Sequence, residues 1–176
     1  MAGKVVDELR QKTDAAWANV TRQLQGMEPY LDRSDAPGEW TTREVLSHLL
    51  FQPGWDPVPV LRSFAAQKFP VIEIEPSQPY LTDERRRLSL RQLVDALDAQ
   101  RRAVFTCLDS LSDTDVQQRK ARIPLFKQFM GTDEITLAQY VGAMYDFHWN
   151  DHWNDHWNDH AGQLGKIRKA VGLPAS

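Results

Sequence analysis

The sequence contains little that would support a disulfide scaffold, a membrane span or a nucleic-acid surface. Cys107 is the only cysteine among the 176 residues, which excludes an internal disulfide and a cysteine-rich zinc site. No segment approaches the ~18 consecutive apolar residues of a membrane-spanning helix, and the net charge of -3 gives no general attraction to nucleic acid. Because the N-terminus also lacks the apolar stretch of a secretion signal, we expect a cytoplasmic protein with neither membrane nor nucleic-acid partners.

The composition is otherwise that of a globular protein. Hydrophobic residues make up 41% of the chain and charged residues 26%, a balance typical of a domain with a buried core. A length of 176 residues suits one such domain and leaves little room for a second. The sequence therefore predicts a single domain over residues 1–176.

Four segments have the spacing of apolar residues that is typical of amphipathic helices. The first covers residues 4 to about 25, and each of the others begins with a capping box, in which two side chains satisfy free backbone N–H groups reciprocally. The boxes pair Thr41 with Glu44, Ser89 with Gln92, and Thr136 with Gln139. Six prolines between positions 53 and 79 end the second helix and predict an irregular connection. We predict an all-α protein, an antiparallel four-helix bundle with one long crossover.

The fourth helix is predicted to be unusually long. Nothing that would break a helix follows Thr136 until Gly172. A continuous helix from Thr136 to Val171 would be ~54 Å long, against ~35 Å for the third helix from Ser89 to Leu111.

A histidine repeat lies within this fourth segment. The tetrapeptide His-Trp-Asn-Asp occurs three times in register and ends on a fourth histidine, which gives His148, His152, His156 and His160. On a helix, each histidine lies about one turn above the last and ~40° around from it, so adjacent pairs can share one metal ion and all four cannot. The remaining histidine, His48, shares a face of the second helix with Val45 and Leu49 and is predicted to point inward.

Two stretches carry a family resemblance. "GEWTTREVLSHLL" at residues 38–50 and "HWNDHAGQLGKIRKAVG" at residues 156–172 resemble the DinB/YfiT-like superfamily of bacterial four-helix bundles. The motif is one histidine on helix two and His-x-x-x-His-x-x-Gln on helix four, and the order of helices agrees over essentially the full chain. The resemblance implies a divalent metal bound by three histidines at one end of the bundle core. Members of the superfamily include thiol-dependent transferases or isomerases and hydrolase-like proteins.

The repeat leaves two choices for the histidine pair that joins His48, because the family motif needs one pair and this sequence has two extra copies of the tetrapeptide. If the start of helix four keeps its place in the bundle, the ligands are His148 and His152, and Asp159 becomes buried without a partner, which is unfavourable. If the end keeps its place, the ligands are His156 and His160, and the start overhangs by ~12 Å. The second choice buries no charge, so the sequence favours His48, His156 and His160.

The overhang carries a prediction about association. Leu137, Tyr140 and Val141 would lie beyond the end of the bundle, where they would expose more apolar surface than a monomer normally tolerates. We therefore expect a homodimer.

Three neutral imidazoles with an open fourth position are the catalytic form of a zinc-type site. Imidazole also suits other transition metals, so zinc or nickel is expected first, with iron, copper or manganese as alternatives. Together with the resemblance, this predicts a metal-dependent enzyme of the thiol-transferase or hydrolase class that acts on a small molecule, with a low-molecular-weight thiol as co-substrate in the transferase case. The alternative is a non-catalytic bundle that binds or sequesters a metal or another ligand. The sequence identifies no catalytic acid or base.

Overall fold

The computed structural model describes residues 3–145 and 156–176, so the alternative metal pair, His148 and His152, lies outside the described residues. The described part is mainly helical. Its α-helices are α1 (Lys4–Gln23), α2 (Thr42–Leu49), α3 (Pro57–Ser63), α4 (Asp83–Arg87), α5 (Leu90–Leu108), α6 (Asp113–Gln118), α7 (Lys127–Met130), α8 (Leu137–Tyr145) and α9 (His156–Ala170). None of these helices combines the length and hydrophobicity that a membrane crossing requires.

The bundle is built from α1, α2, α5 and the pair formed by α8 and α9. Helix α1 packs against α5, α8 and α9, and α2 packs against α5 and α9. The predicted all-α, four-helix-bundle class is therefore confirmed. The connection between α5 and α8 contains two short strands that the sequence did not predict, β1 (Lys120–Arg122) and β2 (Glu134–Thr136), which pair antiparallel with Ala121 opposite Ile135.

The predicted capping boxes define the helix starts. The Thr41 hydroxyl accepts from the Glu44 N–H at 3.2 Å, and the Glu44 carboxylate accepts from the Thr41 N–H at 2.8 Å. The boxes at Ser89 and Thr136 form in the same way. Local hydrogen bonding therefore fixes three of the bundle boundaries, because each box satisfies N–H groups that a helix start leaves free.

The fourth helix differs from the prediction. The Nδ1 atom of His156 lies 3.0 Å from the carbonyl oxygen of Met144, whereas one continuous straight helix would separate these residues by ~18 Å along its axis. Helices α8 and α9 are two segments that lie against each other and against α1. The expected ~54 Å rod is therefore not what the described residues form.

Burial explains why the two segments stay together. Leu137, Val141 and Met144 of α8 are at most 4% exposed, and Leu164 and Ile167 of α9 are fully buried. An overhang would have exposed the α8 side chains at a cost of about 1.5–3 kcal/mol each. Each segment therefore keeps its own place in the core.

The predicted overhang, and the argument for a homodimer that depends on it, are not supported. Leu137, Tyr140 and Val141 are between 0% and 2% exposed, so they form no apolar surface beyond the bundle. The large hydrophobic side chains that are exposed among the described residues are Val71 and Phe129, and neither comes from α8 or α9.

Trp157, from the last copy of the repeat, is a core residue. Its side chain is 1% exposed, and its ring centre lies 5.7 Å from that of Trp17 on α1 and 4.9 Å from that of Tyr145 on α8. Trp157 therefore links α9 to both neighbouring helices, and this packing fixes the rotation of α9 in the bundle. Asp159, two residues later, is exposed as expected from its position on the helix.

Candidate metal centre

The bundle brings three histidines together. His48 lies in the last turn of α2, and His156 and His160 lie one turn apart at the start of α9. One ring nitrogen from each lies within 4.8 Å of the others, and the Nε2 atoms of His48 and His156 are 3.0 Å apart. The pair beside His48 is the one that the sequence favours.

Backbone carbonyl groups set the tautomers of two of these rings. The Nδ1 atom of His48 lies 2.6 Å from the carbonyl oxygen of Gln78, and that of His156 lies 3.0 Å from the carbonyl oxygen of Met144. A carbonyl oxygen only accepts hydrogen bonds, so both Nδ1 atoms carry the hydrogen of the neutral imidazole. The Nε2 atoms of both rings are therefore bare and available as ligands.

A side chain performs the same task for the third histidine. The Nδ1–H of His160 donates to Oε1 of Gln163 at 2.9 Å. This contact gives a physical role to the glutamine of the His-x-x-x-His-x-x-Gln motif: it orients the ring and directs Nε2 toward the other histidines. Outer hydrogen bonds of this kind are the usual companions of metal-bound histidines.

The environment keeps the three rings neutral. Burial, together with the neighbouring His160 and His48, lowers the pKa of His156 to about 3. Burial and the neighbouring His48 lower the pKa of His160 to about 4, and burial lowers the pKa of His48. All three rings are therefore in the form that binds a metal ion at neutral pH.

Aromatic side chains enclose the histidines. The Trp40 ring stacks on His160 with centres 6.2 Å apart and planes 7° apart. The Tyr80 ring stacks in a similar way on His48, at 6.2 Å and 6°. These rings restrict the rotation of the two imidazoles and shield them from solvent.

The loop that holds His48 is tied to α2 by an arginine. The Arg85 guanidinium donates to the carbonyl oxygens of Ser47 at 2.8 Å and Tyr80 at 3.2 Å, and the Ser47 hydroxyl donates to the Tyr80 carbonyl at 3.0 Å. These bonds hold Tyr80 in the left-handed region, with a φ of 50°, which is unfavourable for a residue other than glycine. They place Gln78 and Tyr80 beside His48.

Sequence reasoning missed Gln78, Tyr80 and Arg85. The first two lie in the proline-rich connection, where no periodic pattern predicts which side chains turn toward the bundle. Arg85 lies in a short run of arginines that resembles an exposed basic patch. The unusual backbone of Tyr80 is a property of the fold, and no sequence signal could have identified it.

A cavity of about 310 Å³ opens beside the three histidines. Its apolar lining comes from separate parts of the chain and includes Trp40, Phe51, Leu125, Phe126 and Met144. This volume is at the lower end of the range for small-molecule sites. The histidines therefore face a space that can hold a small ligand.

The donor set fits a divalent transition-metal ion. Tetrahedral coordination with metal–nitrogen distances of about 2.0–2.1 Å separates ligand nitrogens by about 3.3 Å. The 3.0 Å separation of the His48 and His156 nitrogens is close to that value. Within residues 3–145 and 156–176, no carboxylate or cysteine joins the cluster as a fourth ligand. Three imidazoles would thus leave a coordination position for water or substrate.

No family model and no curated protein significantly matches the sequence. The structure, however, is similar to that of YfiT from Bacillus subtilis, described as a probable metal-dependent hydrolase with an unusual four-helix bundle topology. The similarity covers 96% of this chain and 89% of that one, with a TM-score of 0.65 and 16% sequence identity. The chain has a YfiT-like fold. The DinB/YfiT-like resemblance is therefore confirmed at the level of the fold, while at this identity the chemistry of YfiT does not carry over to this chain.

Proposed function

We propose that the protein is a divalent-metal-dependent hydrolase of small molecules, with His48, His156 and His160 as the metal ligands. The observation that carries the proposal is the 3.0 Å contact between the Nε2 atoms of His48 and His156. Both rings hold their hydrogen on Nδ1, so two lone pairs face each other.

This contact is unfavourable unless a cation neutralises it. Two hydrogen-bond acceptors at this distance repel each other, and a proton shared between them would leave a positive charge buried among aromatic side chains. A divalent ion bound by both lone pairs makes the same arrangement favourable. The third ring, His160, supports the proposal because its Nδ1–H is also engaged, by Gln163.

A bound divalent ion supplies Lewis-acid chemistry, by which it polarises a carbonyl or phosphoryl group and makes water a better nucleophile. The residues of the chain hold and orient that chemistry. Gln78, Met144 and Gln163 fix the three tautomers. Trp40 and Tyr80 exclude bulk water from the ligand rings, and the adjoining cavity receives the substrate.

Hydrolysis is better supported than thiol transfer. Thiols such as cysteine and glutathione carry carboxylates, and the described residues that line the cavity include no lysine or arginine to bind them. The description of YfiT as a probable metal-dependent hydrolase agrees with this preference. Zinc and nickel are the preferred ions, with iron, copper and manganese as alternatives, because neutral imidazole suits all of them and selects weakly.

The proposal is tested on untagged protein by elemental analysis and by hydrolysis of a set of neutral esters, amides and lactones. We expect about one zinc or nickel ion per chain, and a rate of hydrolysis that falls when a chelator removes the ion and returns when the ion is restored. His48→Ala should abolish both metal binding and hydrolysis, because it removes the only ligand contributed by α2. Stoichiometric metal in the His48→Ala variant would contradict the three-histidine site. A wild-type protein that binds metal but hydrolyses none of the compounds would favour the non-catalytic alternative.

A further inference from the structure

The cavity beside the histidines has a lining that restricts what it can bind. Most of its described walls are aliphatic or aromatic, among them Phe51, Ile74, Leu125 and Phe126. Because such walls cannot form hydrogen bonds, a ligand that fills the space must present apolar surface to most of it. The bound molecule therefore has an apolar body.

The charged groups at the cavity argue against an anionic ligand. Among the residues that the structure describes, no lysine or arginine lines the space, and the one carboxylate there is that of the exposed Glu75. The described lining offers an anion no cationic side chain to replace its lost hydration, and Glu75 would repel it, so a negative charge is disfavoured on any part of a ligand that lies away from the metal position. A neutral molecule avoids both penalties.

Among the described lining residues that carry a polar group, Tyr140 is the one that is buried. Its side chain is 2% exposed and lines the cavity, and its ring packs against Phe64 with centres 5.3 Å apart. Burial raises the pKa of its hydroxyl, and no hydrogen bond contributes to that shift. Because Tyr140 lines the cavity, its hydroxyl is available to donate a hydrogen bond to a molecule bound there.

The position of Tyr140 relates that hydroxyl to the metal centre. Tyr140 lies on α8 one helical turn before Met144, whose carbonyl group orients His156. Tyr140 and the three histidines line the same cavity, so one ligand can reach both. This is the arrangement needed to hold an acceptor group, such as the carbonyl of an ester or amide, in a fixed orientation.

We infer that the part of the substrate that fills the cavity is an uncharged alkyl or aryl body with a carbonyl group, and that Tyr140 determines specificity by donating a hydrogen bond to that carbonyl. This inference rests on the proposed function of the site.

The test measures binding to the metal-free full-length chain, so that no ligand gains affinity by coordinating an ion. Three compounds of similar shape are compared by isothermal titration: N-phenylbutanamide, which is neutral and has a carbonyl group; butylbenzene, which has no acceptor; and 4-phenylbutyrate, which is anionic. We expect the amide to bind at least about tenfold more tightly than the anion. Tyr140→Phe should weaken amide binding by roughly 2- to 10-fold and leave butylbenzene unchanged.

Tyr145→Phe is the matched control, because Tyr145 lies on the same helix and is equally buried, and its hydroxyl lacks a partner, but it does not line the cavity. This variant should leave all three affinities unchanged. Ala143→Leu, which partly fills the cavity, should weaken the amide and butylbenzene together and confirms where they bind.

Three results would overturn the inference: no binding of the amide, equal or tighter binding of the anion, or an equal effect of Tyr140→Phe on the amide and on butylbenzene. These measurements need neither metal nor turnover. A chain that shows the expected binding pattern but neither takes up metal nor hydrolyses esters would refute the proposed function alone. A chain that hydrolyses esters without the pattern would refute only the inference.

Discussion

Replacing Gln163 by leucine should weaken metal binding about 10- to 100-fold while leaving the bundle folded. Leucine is close to glutamine in size but has no acceptor for the Nδ1–H of His160, which now bonds to Oε1 of Gln163 at 2.9 Å. Without that bond the His160 ring can adopt the other tautomer or rotate away. The ion would then be held firmly by His48 and His156 alone.

The size of the effect follows from the number of ligands involved. One of three ligand rings loses its orienting bond, while the carbonyl groups of Gln78 and Met144 still hold the other two. A 10- to 100-fold loss corresponds to about 1.4–2.7 kcal/mol of binding free energy. Because Gln163 is only half-buried, the free energy of unfolding of the metal-free chain should change by less than about 0.5 kcal/mol.

Competition with a chromophoric chelator measures the affinity, and urea unfolding of the metal-free chain measures the stability. Gln163→Glu is the matched control, because its carboxylate still accepts the Nδ1–H bond and should keep or raise the affinity. Wild-type affinity in Gln163→Leu would refute the role assigned to this residue. An equal loss in both variants would also refute it, since the acceptor would then not be the property that matters.

Two further predictions concern the repeat. Replacing His156 and His160 together by alanine should remove metal binding, because these two histidines form the cluster with His48. Replacing His148 and His152 should leave the metal affinity within about threefold of the wild-type value. Equal losses of affinity in metal titrations of the two variants would contradict a single preferred pair. Trp157→Ala should lower the free energy of unfolding by about 3–5 kcal/mol in urea titrations, because the ring is 1% exposed. A loss below about 1 kcal/mol would show that this ring does not anchor α9.

The bundle could be predicted from the sequence because its boundaries are local. Each capping box requires only residues three positions apart, and the boxes at Thr41, Ser89 and Thr136 all form. The pair His156 and His160 was also favoured from the sequence, by comparing the cost of burying a carboxylate with that of an overhang. In the structure these two histidines lie beside His48, whereas the overhang that the comparison assumed is not formed; their role as metal ligands stays a prediction.

The division of helix four and the groups that orient His48 could not be predicted, because they depend on contacts between distant segments. Apolar periodicity continues through the repeat and indicates one helix. That local pattern contains no information about the apolar surface that α8 and α9 each bury by staying in the core. The orienting carbonyl of Gln78 comes from an irregular loop 30 residues after His48. That loop is positioned by Arg85 rather than by any local pattern.

The contact between Met144 and His156 shows that α8 and α9 are separate segments, and the first two units of the repeat lie between them in the sequence. This arrangement affects how the sequence can change over generations. Tandem copies in a gene gain or lose whole units during replication, and here each unit encodes His-Trp-Asn-Asp. The candidate ligands on α9 are the first histidine of the last unit and the histidine that follows it. A change in copy number therefore alters the length of chain between Tyr145 and the last unit, but it leaves the identity and spacing of those two histidines, and of Gln163 after them, unchanged.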